Sequence, residues 1–439
     1  MRKRDSSTSR RLPILAIYAG MIAALLSCGG EEGKRGGSQD VKDRLDRLRS
    51  LPYTTVTDDE ATAGLSGVVT YDRTQAWKGY NLYFGHIETT AELLDMEGNV
   101  VHRWTAVQAG ERGYMHGVLL ENGDLLTFVE DLEVVRLDWN SRLLWRKMLP
   151  AHHEVCPLPD GSFYVIGRYM ETHRGLPVKF PVIIRLDADG KELERWSTYE
   201  HLDSIKRALD SRSFLDTILD RLEAVGEASA AAESLAARHL VHKQMNIDVY
   251  DYLHMNAISV IPGNQAGRAD SRFAAGNLLI CFRNVNQIAV LEKGTWEILW
   301  AWGEGVIQWP HHPTMLESGN ILLFDNGVER EHSRVIEVNP LTGGIQWEYT
   351  GNPPASFYSY TRGSAQRLPN GNTLVCDSNA GKAFEVSPEG ETVWEWYNPN
   401  LSEGHRVQVY RMIRYSSDMV EPLLRRGRRP DAGGITDAK

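Results

Sequence analysis

Cysteine is scarce in this chain. Its 439 residues include four, and one of them, Cys28, ends an apolar run near the N-terminus. The other three, Cys156, Cys281 and Cys376, allow at most one disulfide. All lie in apolar strand contexts, so they read as buried thiols rather than a covalent frame. Excess positive charge is also missing: the formal net charge is −10, with no broad basic face, which argues against a nucleic-acid surface. There is no Gly-x-Ser-x-Gly elbow, no P-loop and no dinucleotide fingerprint, which removes the sites those motifs build. No histidines stand at His-x-His or His-x₃-His spacing, so the metal signal is weak, and neither a metal nor a cofactor is expected.

The apolar run itself, Leu12 to Leu26, is too short for a comfortable membrane span. It follows a Lys/Arg-rich start and leads into Leu25-Leu26-Ser27-Cys28. A charged segment, a short apolar segment and a small-residue cleavage site make a secretory signal over residues 1–27. The cysteine at its end resembles a bacterial lipobox, implying lipidation of Cys28, a tether over residues 28–63, and a lipid-anchored protein facing the periplasm or cell exterior.

What the chain does have is tryptophan at a steady interval. Trp104, Trp145, Trp196, Trp300, Trp347 and Trp394 each end a short β-branched strand, at spacings of 41, 51, 104, 47 and 47 residues. Residues 197–253 differ in composition, and removing those 57 leaves 47 in the long interval. Tight turns recur beside each tryptophan. Asn122-Gly123, Asp160-Gly161, Ser318-Gly319 and Asn370-Gly371 mark an early hairpin. Gly98-Asn99, Asp189-Gly190, Gly343-Gly344 and Glu389-Gly390 mark a later one. Short strands with a 40–50-residue period are the signature of propeller blades, and six tryptophan phases predict an all-β, six-bladed β-propeller over residues 64–415.

Residues 197–253 read as a helical insertion before the fourth blade, with Ile205, Leu209, Phe214, Ile218 and Leu222 at helical spacing. An insertion there should sit over the mouth of the axial channel, as a lid or as a dimerisation or packing decoration. Val407 to Tyr415 reads as a further strand able to close the ring against the first blade. Residues 416–439, with their arginine cluster, read as a disordered tail.

The histidines share a phase within the repeat. His116 lies seven residues before Gly123, His153 eight before Gly161, and His312 and His311 seven and eight before Gly319. His254 opens the corresponding strand of the fourth blade, with Asn256 pointing the same way two residues on. Innermost strands converge on the channel, so these imidazoles form one candidate site. Imidazole offers a nucleophile, a base and a cation near neutral pH. Three chemistries fit: a metal site, nucleophilic histidine catalysis on an oxyanion ester with an arginine for its oxygens, or anion or aromatic-ligand binding without turnover. Arg330, near the turn after Phe324-Asp-Asn-Gly327, is either that arginine or a solvated loop residue.

Several of these segments resemble the bacterial arylsulfotransferases. They are Leu253-His254-Met255-Asn256, the His311/His312 strand, Phe324-Asp-Asn-Gly327 with Arg330, Ser333-Arg-Val-Ile-Glu-Val, Arg367-Leu-Pro-Asn-Gly-Asn-Thr-Leu, and Val393-Trp-Glu. The resemblance spans roughly residues 64–415. It implies a six-bladed propeller of the bacterial envelope. That propeller would move a sulfuryl group from a phenolic sulfate to a phenol through a sulfated histidine, without a nucleotide donor or cofactor. It implies His254 and His312 (or its neighbour His311) as catalytic histidines and Arg330 as the sulfate-binding arginine. His116, His153, His311 and Asn256 are then expected to line the substrate pocket. One departure stands out: the family's nucleophilic histidine lies on the last blade, and here no histidine occurs between His332 and His405. A non-catalytic envelope propeller, binding ligands or partner proteins, is the alternative.

Overall fold

The computed structural model describes residues 56–57, 62–85, 89–105, 113–209 and 251–427. Cys28, the signal segment and most of the 28–63 tether lie outside these residues, as do 210–250 of the insertion. No helix among the described residues is long and apolar enough to cross a membrane.

The fold is mostly β, built of sheets of four antiparallel strands in a propeller-like series. The second to fifth sheets in chain order are simple meanders. They begin at His116–Leu119, Ala151–Pro157, Met255–Val260 and His311–Met315. The next begins at Ser364–Arg367 and takes Gly67–Tyr71 as a fifth strand, paired to Thr392–Tyr397. The first sheet is completed from the other end of the chain, by Val409–Ser416 pairing with Gly79–Gly85. This is the closure expected of the Val407–Tyr415 strand. The chain therefore clasps itself twice, and the outward Gly67–Tyr71 clasp was not legible beforehand. First strands of consecutive sheets touch one another from His116–Leu119 round to Val409–Ser416, and Gly79–Gly85 touches His116–Leu119.

The sequence pattern explains the layers. Second and third strands, such as Leu125–Val129 and Gln287–Leu291, are buried at every position, because each lies between two strands of its own sheet and faces neighbouring sheets on both sides. Outer strands such as Leu143–Met148 alternate, with every second residue facing solvent. The turn glycines adopt the left-handed backbone that the hairpins require, as Gly123 (φ 95°) and Gly161 (φ 82°) show. Two outer-strand tryptophans are sealed into the cores, Trp104 at 0% and Trp394 at 0% exposure.

Two expectations need correction. The tail is not wholly disordered: Ser417–Gly427 forms a helix. Val420 and Leu423 from that helix join the core that contains Leu82, Leu93, Leu119 and Leu125. The apolar spacing of Met419, Val420, Leu423 and Leu424 outweighs both the arginine cluster and Pro422 within the helix. As for the insertion, its described helix, Leu202–Leu209, packs against Ile298–Trp302, the outermost strand of the fourth sheet. Leu202, Ile205 and Leu209 supply the buried face, so this part does not cover the channel mouth.

Candidate functional site

The first strands do more than converge. Four of them carry a β-bulge near their start, and each bulge holds polar side chains. The pairing register shifts between Ala151 and Val155, between Met255 and Ala257, between His311 and Thr314, and between Val409 and Met412. The residues inside those shifts are His152, His153 and Glu154; Asn256; His312 with Pro313; and Tyr410 with Arg411. A bulge breaks strict alternation and re-aims side chains, which is how neighbours in sequence come to face one cavity. The backbone is strained accordingly: His153 (φ 62°), His254 (φ 48°) and His312 (φ 48°) all sit in the left-handed region. That region costs a non-glycine residue about 1–3 kcal/mol and is concentrated at functional sites.

Two linked groups result. In the first, His153 Nε2 lies 2.8 Å from His254 Nε2. His153 Nδ1 contacts the Tyr410 hydroxyl. The Asp251 carboxylate accepts from both the His254 ring, at 2.8 Å, and its backbone N–H, at 3.1 Å. Arg168 in turn donates to Asp251 at 3.1 Å, and Arg168 belongs to the long hairpin Phe163–His173/Leu176–Leu186. His152 stacks edge-on beside His153, with ring centroids 3.8 Å apart. His311 lies on the other flank, 6.0 Å from His153. Its Nδ1 faces Asn326 Oδ1 at 2.7 Å and the Trp309 carbonyl at 2.9 Å.

The second group surrounds a buried ion pair. Arg411 donates to Glu154 Oε2 at 2.8 Å and Oε1 at 3.1 Å. His116 Nε2 lies 3.2 Å from Glu154 Oε1 and 3.1 Å from Arg411 Nη1, while His116 Nδ1 is buried without a partner. His312 donates from Nδ1 to the Ala365 carbonyl on the next sheet, at 3.0 Å. Asn256 donates to the Pro310 carbonyl at 2.8 Å, and its Oδ1 is buried and unpartnered.

Electrostatics hold these rings neutral. Burial, reinforced by Arg411, pushes His312 down to about 3 and His116 to about 4. Burial and Arg283 lower His254 to about 4, against the opposing pull of Asp251. His152, His153 and His311 are lowered well below the usual imidazole value, burial again being the main cause. Burial alone would raise Glu154, but Arg411 and His116 hold it at about 2. The site therefore pairs neutral imidazoles with a fixed guanidinium, a combination suited to nucleophilic attack on a bound oxyanion.

The structure thus brings together His116, His153, His254, His311 and His312. It does not bring Arg330 to them. That guanidinium lies 3.0 Å from Asp325 Oδ2, beside Arg334 at 2.8 Å from the same oxygen. Among the described residues no contact joins Arg330 to the histidines. Arg411, Arg283, Arg168 and Lys179 are cations that act on the rings. Sequence reasoning missed Arg411, Tyr410, Glu154, His152 and Asp251. The available signal was position: Tyr410-Arg411 heads the closing strand at the same phase as the histidines, and Asp251 stands three residues before His254.

Fold and site together define a mostly β, propeller-like protein with a buried imidazole–guanidinium site. The family model described as Arylsulfotransferase (ASST) matches residues 116–399, more than half of the chain, and the chain belongs to that family. No curated protein sequence matches it. Solved structures are similar at low identity. A protein of unknown function from Bacteroides caccae is 12% identical, covering 77% of this chain and 99% of its own, with a TM-score of 0.48. A streptogramin B lyase is 10% identical, with 83% and 96% covered and a TM-score of 0.43. A catalytically inactive virginiamycin B lyase from Staphylococcus aureus, solved with quinupristin, is 9% identical, with 76% and 88% covered and a TM-score of 0.42.

Proposed function

We propose that this protein transfers a sulfuryl group from a phenolic sulfate ester to a phenol, through a sulfated histidine, in the channel of a six-bladed propeller. The observation that carries the reading is the contact between His312 Nδ1 and the Ala365 carbonyl at 3.0 Å. A carbonyl only accepts, so the ring proton sits on Nδ1 and the lone pair on Nε2. Nε2 of a neutral imidazole is a competent nucleophile. Arg411, close enough to depress the His312 pKa, supplies positive charge for the sulfate oxygens, the role first expected of Arg330.

The steps balance as two displacements at sulfur. His312 Nε2 forms an N–S bond as the ester O–S bond breaks, and the first phenol leaves as its phenolate. The second phenol then attacks the sulfur as its proton passes to a neutral imidazole, the N–S bond breaks, and that proton is returned to the first phenolate. His116 Nδ1, buried and unpartnered, is the proton carrier in this reading. Asn256 Oδ1, a buried acceptor without a donor, orients a phenolic hydroxyl. In this reading His312 replaces the missing last-blade histidine, because its ring leans across onto the last sheet. Phenolic sulfates and phenols are the small-molecule partners. The cell envelope, through a lipid on Cys28, is the proposed location, which palmitate labelling of wild type against Cys28→Ser tests.

Purified protein with 4-nitrophenyl sulfate and phenol should release 4-nitrophenol, and stopping the reaction before acceptor is added should leave one sulfuryl adduct on the peptide containing His312. Absence of both turnover and adduct would favour the non-catalytic ligand-binding propeller, the reading suggested by a last sheet that carries no histidine.

A further inference from the structure

The first histidine group is not used by the sulfuryl reading, and its rings share one orientation. Each turns Nδ1 toward an oxygen: His254 toward Asp251 at 2.8 Å, His153 toward the Tyr410 hydroxyl, and His152 toward Glu130 Oε1 at 2.9 Å, without hydrogen-bond alignment. Each leaves its Nε2. Those of His153 and His254 are 2.8 Å apart, and that of His152 is buried with no hydrogen-bond partner. One ring nitrogen from each of the three lies within 4.8 Å of the other two.

Two imidazole nitrogens at 2.8 Å need either a hydrogen or a metal ion between them. An N–H···N hydrogen bond satisfies His153 and His254 but leaves His152 Nε2 buried without a partner. A metal ion satisfies all three. We propose that His152, His153 and His254 bind one divalent first-row metal ion, of the zinc type, through their Nε2 atoms.

The chemistry of the surroundings fits. Imidazole is a good ligand for zinc and its neighbours in the first row. Three histidines with a fourth position open is the arrangement of reactive rather than structural zinc sites. With Zn–N bonds of about 2.0–2.1 Å, tetrahedral ligands stand roughly 3.3 Å apart, so the closest pair must open by about 0.5 Å. Asp251 supplies the carboxylate–histidine–metal arrangement that orients a ligand ring and raises its basicity, and Arg168 fixes Asp251. Asp251, Glu130 and Asp131 on this side balance Arg168, Arg283 and Lys179. The bulge explains how His152 and His153, adjacent in sequence, turn to one point rather than to opposite faces.

The test uses the full chain, stripped with chelator and then dialysed against micromolar zinc chloride, with elemental analysis by mass spectrometry. Wild type should retain about one zinc per chain and melt at a higher temperature than the stripped protein. His152→Ala and His254→Ala should lose the zinc, and Asp251→Asn should weaken it about 10- to 100-fold. Should an alanine variant fail to fold, cobalt substitution of wild type replaces it. Visible ligand-field bands that zinc displaces support the site; a spectrum of free aqueous cobalt overturns it. Folded wild type without bound zinc, or full binding in both alanine variants, likewise overturns the site. His312→Asn keeps the two ideas apart: it should lose sulfuryl transfer and keep the metal. Zinc bound without turnover would support the site and defeat only the sulfuryl reading.

Discussion

Nδ1 of His312 stands 3.0 Å from the carbonyl oxygen of Ala365, across the boundary between two sheets. That single contact dictates the tautomer, and with it the chemistry available to the ring. Asparagine at this position keeps a donor near the place of Nδ1 and has nothing at the place of Nε2. His312→Asn should therefore fold with nearly unchanged stability. It should lower kcat for 4-nitrophenyl sulfate by at least about 100-fold, the scale on which a group acting directly on the reacting atoms is felt. Steady-state kinetics beside a thermal melt check it. Equal turnover in the variant would displace His312 from the reaction.

Stability should depend on pH in a direction that the buried rings determine. His116 and His312 have ordinary values of 6.5 when unfolded and about 4 and about 3 when folded. Between those limits the unfolded chain binds protons that the folded chain refuses, so stability is full above pH 6.5 and falls as pH drops toward 3. Glu154, ordinarily 4.5 and held at about 2, adds a loss of the same sign as pH falls from 4.5 to 2. A shift of this size is worth roughly 3 kcal/mol for one ring. Urea midpoints measured in chelator at pH 7.5, 6, 5 and 4 should fall steadily. A midpoint unchanged down to pH 5 would mean that the rings are charged or exposed.

Much of the fold was open to a reader of the sequence because each sheet repeats the same outer tryptophan and the same glycine turns. The histidine phase was legible for the same reason, since a repeat in register carries side chains at one position to one place. What stayed hidden was hidden by local exceptions. His152 was passed over because alternation sends it away from His153, and only the bulge turns it back. Arg411 was missed because its strand completes the first sheet from the far end of the chain. Arg330 drew attention as a cation near a turn. Its destination was settled by Asp325, five residues earlier, which two arginines share. The C-terminal helix was masked by its charge, although four apolar residues lie on one side of it.

Arg414 and Glu385 form an ion pair with both side chains at 0% exposure, tying the closing strand to the last sheet. The pair has further partners on both sides, although Arg414 Nη2 is buried without one. Arg414 also donates to Asn81 Oδ1 at 2.7 Å and to the Trp77 carbonyl at 3.0 Å. Glu385 accepts from the Trp77 backbone at 2.8 Å and from Asn372 at 2.7 Å. Removing one partner strands a buried charge, so Arg414→Met should cost about 3–5 kcal/mol. Arg414→Met combined with Glu385→Leu should recover part of that loss, because no charge is left unpaired. Denaturant unfolding of the three proteins measures the difference. A double variant worse than the sum of its parts would show that the polar network, and not the unpaired charge, sets the cost.

The helix Ser417–Gly427 makes a prediction that bears on both ends of the chain. Leu423 is 4% exposed and Val420 is fully buried, and both pack into the core shared by the first two sheets. The Cβ of any residue replacing Gly123 would come within 3.1 Å of Leu423, so the helix lies directly on a hairpin turn. It also follows without a break from the strand that closes the first sheet. Leu423→Ala should cost about 2–5 kcal/mol by leaving a cavity, and a chain ending at Ser416 should lose at least as much. Both should unfold at lower denaturant concentration, with faster proteolysis at the first sheet. If the shortened chain melted with the wild type, the helix would be an ornament on the surface, and the closing strand would hold the first sheet without it.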